Sequence, residues 1–266
     1  MRTRVITAVV ALALFLPALV LGGLPLSILV TVMAGISVYE LFHMHKLDIK
    51  SFEGVLAIIA SAMLVFPLPA YFKFLPKDKG QFLLFFLIVM LFLGASVISK
   101  NTYSIDEAAF PVIASLYVGV GFSSLLNARK MGLPVLFLAL FIVWATDIGA
   151  YFVGLKYGRH KLCPEVSPSK TIEGALGGLL SAFIVTMIFV FLFEAKNYFH
   201  HTALTVIFLS LLFSAVAQFG DLVESSIKRH FDVKDSGKLL PGHGGVLDRF
   251  DSLLFILPLM QLFKLF

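Results

Sequence analysis

Charged residues are scarce in this sequence, and cysteine is nearly absent. Only 14% of the 266 residues are charged and 59% are hydrophobic, whereas soluble domains are about 25% charged and about half apolar. A soluble globular domain is therefore excluded. The single cysteine, Cys163, excludes an intramolecular disulfide framework and a cysteine-rich metal site. P-loop, dinucleotide-binding and Ser-His-Asp patterns are also missing from any usable context.

Long uncharged stretches predict an all-α fold, a polytopic bundle of about nine membrane helices. A helix needs about 20 mostly apolar residues to cross the hydrocarbon core. The first stretch is predicted to be a retained helix, because Leu21-Gly22-Gly23 is a poor cleavage site. Pro67 and Pro69 predict a break in the third stretch. The nine stretches run at about 5–21, 24–42, 54–74, 80–99, 108–126, 134–154, 173–193, 201–220 and 252–266.

The positions of Lys and Arg predict the orientation of these helices. With the N-terminus in the cytoplasm and the C-terminus outside, fourteen of the 21 Lys and Arg residues lie on the cytoplasmic side, as the positive-inside rule requires. The net charge of +5 is then explained by membrane orientation and gives no support for a nucleic-acid partner. Loops 155–172 and 221–251 are both predicted to face the cytoplasm, in a multi-pass protein of the cell membrane.

The acidic residues are concentrated in the second half of the chain. Ten of the sixteen Asp and Glu residues lie at or after Asp147. We therefore predict that residues 1–130 form a scaffold of membrane helices. Residues 131–266 are predicted to form a catalytic membrane region that includes both cytoplasmic loops.

The segment 221–251 carries the densest set of groups suited to chemistry. Asp248 and Asp251 are three residues apart, so on a helix they share a face and their carboxylates suit a hard cation such as Mg²⁺. Glycines from Gly242 to Gly245 let the backbone approach phosphate oxygens. The alternative is a solvated loop whose charges pair among themselves. Residues that could neutralise a polyphosphate are Lys228, Arg229, Lys234, Lys238 and Arg249.

Two further acids and one basic loop are candidates for the same site. Asp147 lies inside the sixth span, where a charged group usually faces a cavity; the alternative is an Asp held by Thr or backbone donors between helices. Asp221 ends the eighth span and either joins the site or lies at the membrane interface. The loop 155–172 is typical of a phosphate-binding surface or of a positively charged loop ending in a helix cap. Glu40, near the end of the second span, is a further candidate for a functional role, although snorkelling toward the cytoplasmic face is a sufficient explanation.

The motifs at these positions resemble one known family. Ser225, Lys228-Arg229, Lys234-Asp235, His243-Gly244-Gly245 and Asp248-Arg249-Phe250-Asp251 follow one another at the spacings of the C-terminal signature of phosphatidate cytidylyltransferases, also called CDP-diacylglycerol synthases. Upstream, Asp147-Ile148-Gly149-Ala150-Tyr151 and the stretch from Ser167 to Gly174 are similar as well. The resemblance covers residues 145–251. Ser169 departs from it, because a second Lys is expected there.

The resemblance implies a nucleotidyltransferase of phospholipid biosynthesis. The expected reaction joins CTP and phosphatidate to give CDP-diacylglycerol and pyrophosphate, with Mg²⁺ as cofactor and room for a second cation. CTP and a bilayer phosphatidate are the expected partners, and a homodimer is an open alternative to a single chain. The implied catalytic residues are Asp221, Lys228, Arg229, Asp248, Arg249 and Asp251. The implied metal ligands are Asp147, Asp221, Asp248 and Asp251. The implied substrate-binding residues are Ser167, Lys170, Thr171, Lys234, Asp235, His243, Gly244 and Gly245.

Other functions are compatible with parts of this pattern. A cation-coupled transporter also carries acids within the membrane, but it predicts charges spread along several spans, whereas here they gather in loops. A CDP-alcohol phosphotransferase needs an Asp-Gly-x-x-Ala-Arg motif that the sequence lacks. A related cytidylyltransferase acting on an ether-linked phosphatidate fits the same residues.

Overall fold

The chain is almost entirely helical where its structure is described. The computed structural model describes residues 2–76, 79–100, 102–193, 199 and 201–266, with the side chains of residues 2–5 and 8 left aside. Lys77 and Lys196, which the charge count places in outer loops, lie outside the described residues. The helices are α1 (Arg2–Leu21), α2 (Gly23–Met44), α3 (Phe52–Val65), α4 (Leu68–Tyr71), α5 (Gly80–Ile98), α6 (Ile105–Met131), α7 (Leu133–Tyr157), α8 (Ile172–Leu192), α9 (Ala203–His230) and α10 (Leu247–Leu262).

Six of these helices are long and apolar enough to cross a membrane, which confirms an all-α membrane protein. They are α2, α5, α6, α7, α8 and α9. Two shorter apolar helices lie within α1 and at α3. The count of nine spans and the cytoplasmic N-terminus stay predictions.

Two short strands are the exception to the all-α prediction. Strands β1 (Lys161–Cys163) and β2 (Ser167–Thr171) form an antiparallel hairpin between α7 and α8. Glu173, in the first turn of α8, accepts hydrogen bonds from the amides of Arg159 at 3.1 Å and His160 at 3.2 Å. These bonds fix the chain where it enters the hairpin.

A capping residue and a proline set the two ends of α3. Helix α3 begins after Ser51, whose Oγ accepts a hydrogen bond from the amide of Gly54 at 3.2 Å. It ends at Val65, before Pro67, as predicted for the break in the third span. The side-chain amide of Gln81 donates to the carbonyl of Phe66 at 2.7 Å. The same side-chain amide lies 3.0 Å from the carbonyl of Leu64, in the last turn of the broken helix.

Both predicted cytoplasmic loops are shorter than expected. Helix α7 continues to Tyr157, and α9 continues to His230, ten residues past the predicted end of the eighth span. Asp221, Lys228 and Arg229 therefore lie on a helix and not in a loop. The loop before α10 comprises residues 231–246. The prediction equated the end of the apolar run with the end of the helix, although a helix can leave the membrane without breaking.

The chain forms two compact units. The first contains residues 1–126 and 235–248, and the second contains residues 127–234 and 249–266. In the first unit, α3, α5 and α6 enclose one apolar core of Ala60, Leu64, Phe85, Ile88, Phe92 and Ala108. The predicted roles of 1–130 as scaffold and 131–266 as catalytic region stay predictions.

Close packing of α8 on α7 shapes the second unit. A Cβ atom on Gly174 would lie 2.8 Å from the carbonyl oxygen of Ala150, and one on Gly178 would lie 2.9 Å from that of Thr146. Helix packing thus accounts for this glycine pair. The hydroxyl of Thr146 also lies 2.7 Å from that of Ser214 on α9, which ties α7 to α9.

Candidate active site

A cavity of about 500 Å³ opens in the second unit, where α7, the hairpin, α8 and α9 meet. Its wall carries acids, lysines and hydroxyls as well as apolar side chains. The polar lining residues are Asp147, Lys161, Ser169, Lys170, Thr171, Gln218 and Asp221. The apolar ones include Ala150, Tyr151, Leu155 and Leu162.

Two of the predicted metal ligands lie in this wall. Asp147 projects from α7 and Asp221 from α9, 74 residues apart in sequence. The neighbouring hydroxyl of Thr146 bonds instead to Ile142 and Ser214. Asp147 thus faces the cavity, as predicted for a charged residue inside a span. The roles of both acids as metal ligands stay predictions.

A lysine from the hairpin reaches one of these acids. The ammonium of Lys170, on β2, lies 2.5 Å from Oδ2 of Asp221, and both side chains are half-buried. The next residue, Thr171, caps α8 by accepting a hydrogen bond from the amide of Gly174 at 3.1 Å. The loop 155–172 therefore ends in a helix cap and also places a lysine in the cavity wall. Its role as a phosphate-binding surface stays a prediction. Ser167 pairs with Cys163 in the hairpin and is not among the described lining residues.

The predicted basic residues of α9, Lys228 and Arg229, also have protein partners. Lys228 forms an ion pair with Glu224 at 2.5 Å, one turn earlier, and the Glu224 side chain is buried. Arg229 donates from Nε to the carbonyl of Val166, at the turn of the hairpin, at 3.4 Å. Its guanidinium therefore helps hold the hairpin that carries Lys170.

Helix α10 carries the remaining predicted residues of the second unit, Arg249 and Asp251. Both residues interact electrostatically with the acids of the cavity. Arg249 attracts Asp147, and Asp251 repels both Asp147 and Asp221. Asp251 also accepts a hydrogen bond from the amide of Ser252 at 2.6 Å. Three carboxylates and several cations thus influence one another in this unit.

The rest of the predicted signature belongs to the first unit. Oδ2 of Asp248 accepts hydrogen bonds from the amide of Ser236 at 2.9 Å, its hydroxyl at 2.8 Å, and the amide of Gly245 at 2.8 Å. Gly244 adopts φ of +83°, a conformation that glycine reaches without strain. Lys234, Asp235 and His243 lie in the same loop 231–246, although Lys234 itself is assigned to the second unit.

Carboxylate oxygens are the ligands that Mg²⁺ prefers, yet no complete protein cage is present in the described residues. Within the described part of the chain, no group of three or more His, Cys, Asp or Glu side chains is arranged to hold a metal ion. Mg²⁺ usually binds through one or two carboxylates together with substrate phosphates. Asp221 already holds a cation, the ammonium of Lys170, so its position suits positive charge. The donor set therefore fits a metal that arrives with a nucleotide.

Sequence reasoning missed several residues of these clusters. Glu40 does not snorkel: only 2% of it is exposed, and it binds the 236–247 segment. Glu224 was overlooked although its spacing to Lys228, four residues apart, is the signal of a helical ion pair. Lys161 lies in the basic loop 155–172 but was not among the predicted binding residues, and Gln218 lines the cavity without belonging to any motif. Their contribution depends on the folding of the hairpin and on the packing of α9.

Comparison with known proteins agrees with the motifs. The model of the cytidylyltransferase family matches residues 2–266. The chain belongs to this family. It is 41% identical to a phosphatidate cytidylyltransferase of Bacillus subtilis, over 98% of this chain and 96% of that protein. Proteins of the same name from Staphylococcus saprophyticus and Staphylococcus aureus are 40% and 41% identical, over 98% of both chains.

Membership of the cytidylyltransferase family confirms the predicted resemblance. The match extends well beyond the motif region 145–251 and includes the helices of the first unit. A nucleotidyltransferase is therefore favoured over the cation-coupled transporter.

Proposed function

We propose that this protein transfers the cytidylyl group of CTP to phosphatidate, giving CDP-diacylglycerol and pyrophosphate. The observation that carries the proposal is the mixed cavity of a cytidylyltransferase-family membrane protein. Its lysines suit a polyphosphate, its acids suit a cation that accompanies the polyphosphate, and Tyr151, Leu155 and Leu162 suit the hydrocarbon of a lipid. Its relatives named phosphatidate cytidylyltransferase support the choice of substrates.

The chemistry requires two anions to meet. A phosphate oxygen of phosphatidate forms a bond to the α-phosphorus of CTP, and the bond from that phosphorus to the bridging oxygen of pyrophosphate breaks. A phosphomonoester has its second pKa near 6, so the phosphatidate phosphate is already an anionic nucleophile at neutral pH. The protein must therefore screen charge and align the reactants more than it must remove a proton.

The residues of the cavity suit this task. Lys170 and Lys161 lie in its wall and place positive charge next to the phosphates. Arg229 anchors the turn of the hairpin that carries both lysines. In this proposal, phosphates compete with Asp221 for the ammonium of Lys170. Asp221 then becomes available to another cation.

A divalent metal ion is part of the proposal. Asp147 and Asp221 in the cavity wall would hold it together with the phosphates of CTP, and Asp248 and Asp251 are the further predicted ligands. When bound, Mg²⁺ supplies Lewis acidity at the α-phosphate and stabilises the leaving pyrophosphate. The hard oxygen donors around the Lys170–Asp221 pair support this assignment.

We also propose nine membrane crossings with the N-terminus in the cytoplasm. Six described helices are long enough to span, and α1, α3 and α10 supply the shorter crossings. This arrangement places the hairpin and the 231–246 loop on the cytoplasmic side, where CTP is found. Phosphatidate would approach the apolar wall from the bilayer.

The direct test is an assay of purified protein with CTP and phosphatidate, with the formation of lipid-linked CMP followed with and without Mg²⁺. We expect product only with both substrates and the metal ion. Lys170→Met should reduce turnover strongly. Lys156→Met is the matched control, because Lys156 lies on α7 over the ring of Tyr157 and not in the described cavity wall.

The outcomes of this assay separate the candidate functions. Absence of lipid-linked CMP from a folded preparation would overturn the proposal. Equal loss of turnover in both lysine variants would show that the cavity is not the site. Preference for an ether-linked phosphatidate over the ester would assign the protein to the related ether-lipid reaction.

A further inference from the structure

A buried acid of the first unit has no part in the chemistry described so far. Glu40 lies near the end of α2 and is 2% exposed. Its Oε1 accepts a hydrogen bond from the amide of Val246 at 2.8 Å, and its Oε2 accepts one from the amide of Leu247 at 2.9 Å. The hydroxyl of Ser236 lies 3.3 Å from Oε2. A carboxylate accepts hydrogen bonds and donates none, so it suits the two backbone donors. The single proton of the Ser236 hydroxyl is shared between Glu40 and Asp248.

The two amides belong to the beginning of α10. The first amides of a helix have no partner within it, and a side chain at the preceding residue usually caps them. Val246 precedes Leu247, the first residue of α10, and its side chain has no acceptor. Glu40 supplies the missing acceptor from 206 residues earlier in the chain. Its negative charge also lies at the positive end of the α10 dipole.

Ser236 connects this cap to Asp248. Its hydroxyl lies 2.8 Å from Oδ2 of Asp248 and 3.3 Å from Oε2 of Glu40. The amides of Ser236 and Gly245 donate to the same Asp248 oxygen. Glu40, Ser236 and Asp248 therefore form one connected network that holds segment 236–247 at both of its ends.

The glycines of the loop fit the same network. A Cβ atom on Gly237 would lie 2.8 Å from Oε1 of Glu40. A Cβ atom on Gly245 would collide with both the Ser236 hydroxyl and the Glu40 carboxylate. Position 245 thus requires glycine because the backbone there passes too close to Glu40 for a side chain. The sequence alone did not predict this reason. The signature glycine and the α2 acid are parts of one arrangement.

We propose that Glu40 is a positioning residue for cytidylyl transfer. Its carboxylate fixes segment 236–247 and the first turn of α10, and thereby sets the orientation of Asp248 and of His243-Gly244-Gly245. Glu40 itself touches no substrate. This role rests on the proposed function of the protein, and it makes α2 a determinant of activity as well as a membrane anchor.

The decisive variant is Glu40→Gln. In either orientation of the new amide, an NH₂ group faces the amide of Val246 or that of Leu247, so one backbone donor loses its acceptor. The matched control is Ser37→Ala, one turn earlier on α2. Ser37 is equally buried, and its hydroxyl bonds to the carbonyl of Met33 within the helix, at 3.0 Å.

Two measurements on one preparation test the role. Hydrogen exchange followed by mass spectrometry should show peptides covering 236–248 exchanging about tenfold faster in Glu40→Gln, because one bond to a charged group is lost. Under the same conditions kcat should fall on the order of 10-fold to 100-fold, since small displacements near reacting groups are costly. Tm should stay within about 3 °C of the wild type. Ser37→Ala should change neither the exchange of this segment nor kcat.

The results distinguish failure of this role from failure of the proposed function. Unchanged exchange in 236–248, or faster exchange with wild-type kcat, overturns the positioning role while the transferase assignment stands. A folded wild-type protein that makes no lipid-linked CMP overturns the proposed function, and the positioning role is refuted with it. If Glu40→Gln does not accumulate in membranes, Glu40→Asp gives the same test. Its carboxylate keeps the charge but is one methylene shorter and cannot reach both amides, so wild-type exchange and kcat in that variant would equally overturn the role.

Discussion

Replacing Asp147 by Asn separates a catalytic role of this residue from a structural one. The substitution preserves size and hydrogen-bonding capacity and removes the charge. Asp147 faces a cavity that it shares with Asp221, a residue of like charge, and with Lys170. If Asp147 binds metal or substrate, its charge is needed for turnover and not for folding.

The expected magnitudes follow from this position. Loss of one group that stabilises charge in the transition state lowers kcat by about 100-fold, equivalent to about 2.7 kcal/mol. The free energy of unfolding should stay the same or increase by less than about 1 kcal/mol. The substitution removes the repulsion between Asp147 and Asp221, and this repulsion is weak in a cavity that is open to solvent. The Mg²⁺ concentration that gives half-maximal turnover should rise.

The adjacent residue provides a matched control for this experiment. Thr146→Val breaks the bond of 2.7 Å between the hydroxyls of Thr146 and Ser214. Such interhelical bonds contribute about 0.6 kcal/mol on average, so Tm should fall by about 1–3 °C while activity per folded molecule is retained. Turnover and Tm are measured on the same preparation. Full activity of Asp147→Asn with a lowered Tm would refute the catalytic role.

Three further outcomes are expected. Glu224→Ala should lower the free energy of unfolding by about 1–3 kcal/mol, since it removes a hydrogen-bonded carboxylate from Lys228, whose side chain is 13% exposed; a Tm equal to that of the wild type would contradict this. Asp248→Asn and Asp251→Asn should each abolish turnover at every Mg²⁺ concentration with little loss of folded protein, and near-normal activity of either variant would remove that carboxylate from the essential set. In a Cys163→Ser background, Leu239→Cys should react with a membrane-impermeant thiol reagent from the cytoplasmic side, because Leu239 is 55% exposed; labelling only from outside would reverse the proposed orientation.

Local sequence signals predicted much of the helical framework. Apolar runs located the membrane helices, because the hydrocarbon core excludes charge over a fixed thickness. Pro67 ended α3 and Thr171 capped α8, because each acts on backbone groups within a few residues. The spacing of charged residues and glycines from Ser225 to Asp251 was sufficient to indicate the family. All of these signals are carried by neighbouring residues.

The sequence misplaced features whose determinants are not local. Helix α9 extends to His230 because no Gly or Pro interrupts residues 221–230 and Glu224 pairs with Lys228 along the helix. Hydropathy marks only where a chain leaves the lipid, so it could not locate this end. The hairpin formed by β1 and β2 was missed for a similar reason: its short strands are stabilised by pairing with each other and by Glu173.

The amino-acid sequence by itself determined the membrane class, the family and the residue types that carry the chemistry. Only the tertiary structure brought Asp147, Lys170 and Asp221 to one cavity wall, because they come from a helix, a strand and another helix that meet by packing. It also decided the place of Glu40. The partners of that acid include backbone amides of Val246 and Leu247, and a backbone amide looks the same at every residue in a sequence. Such a contact is specified by the fold that buries the carboxylate beside a helix end, where an unsatisfied donor would be costly.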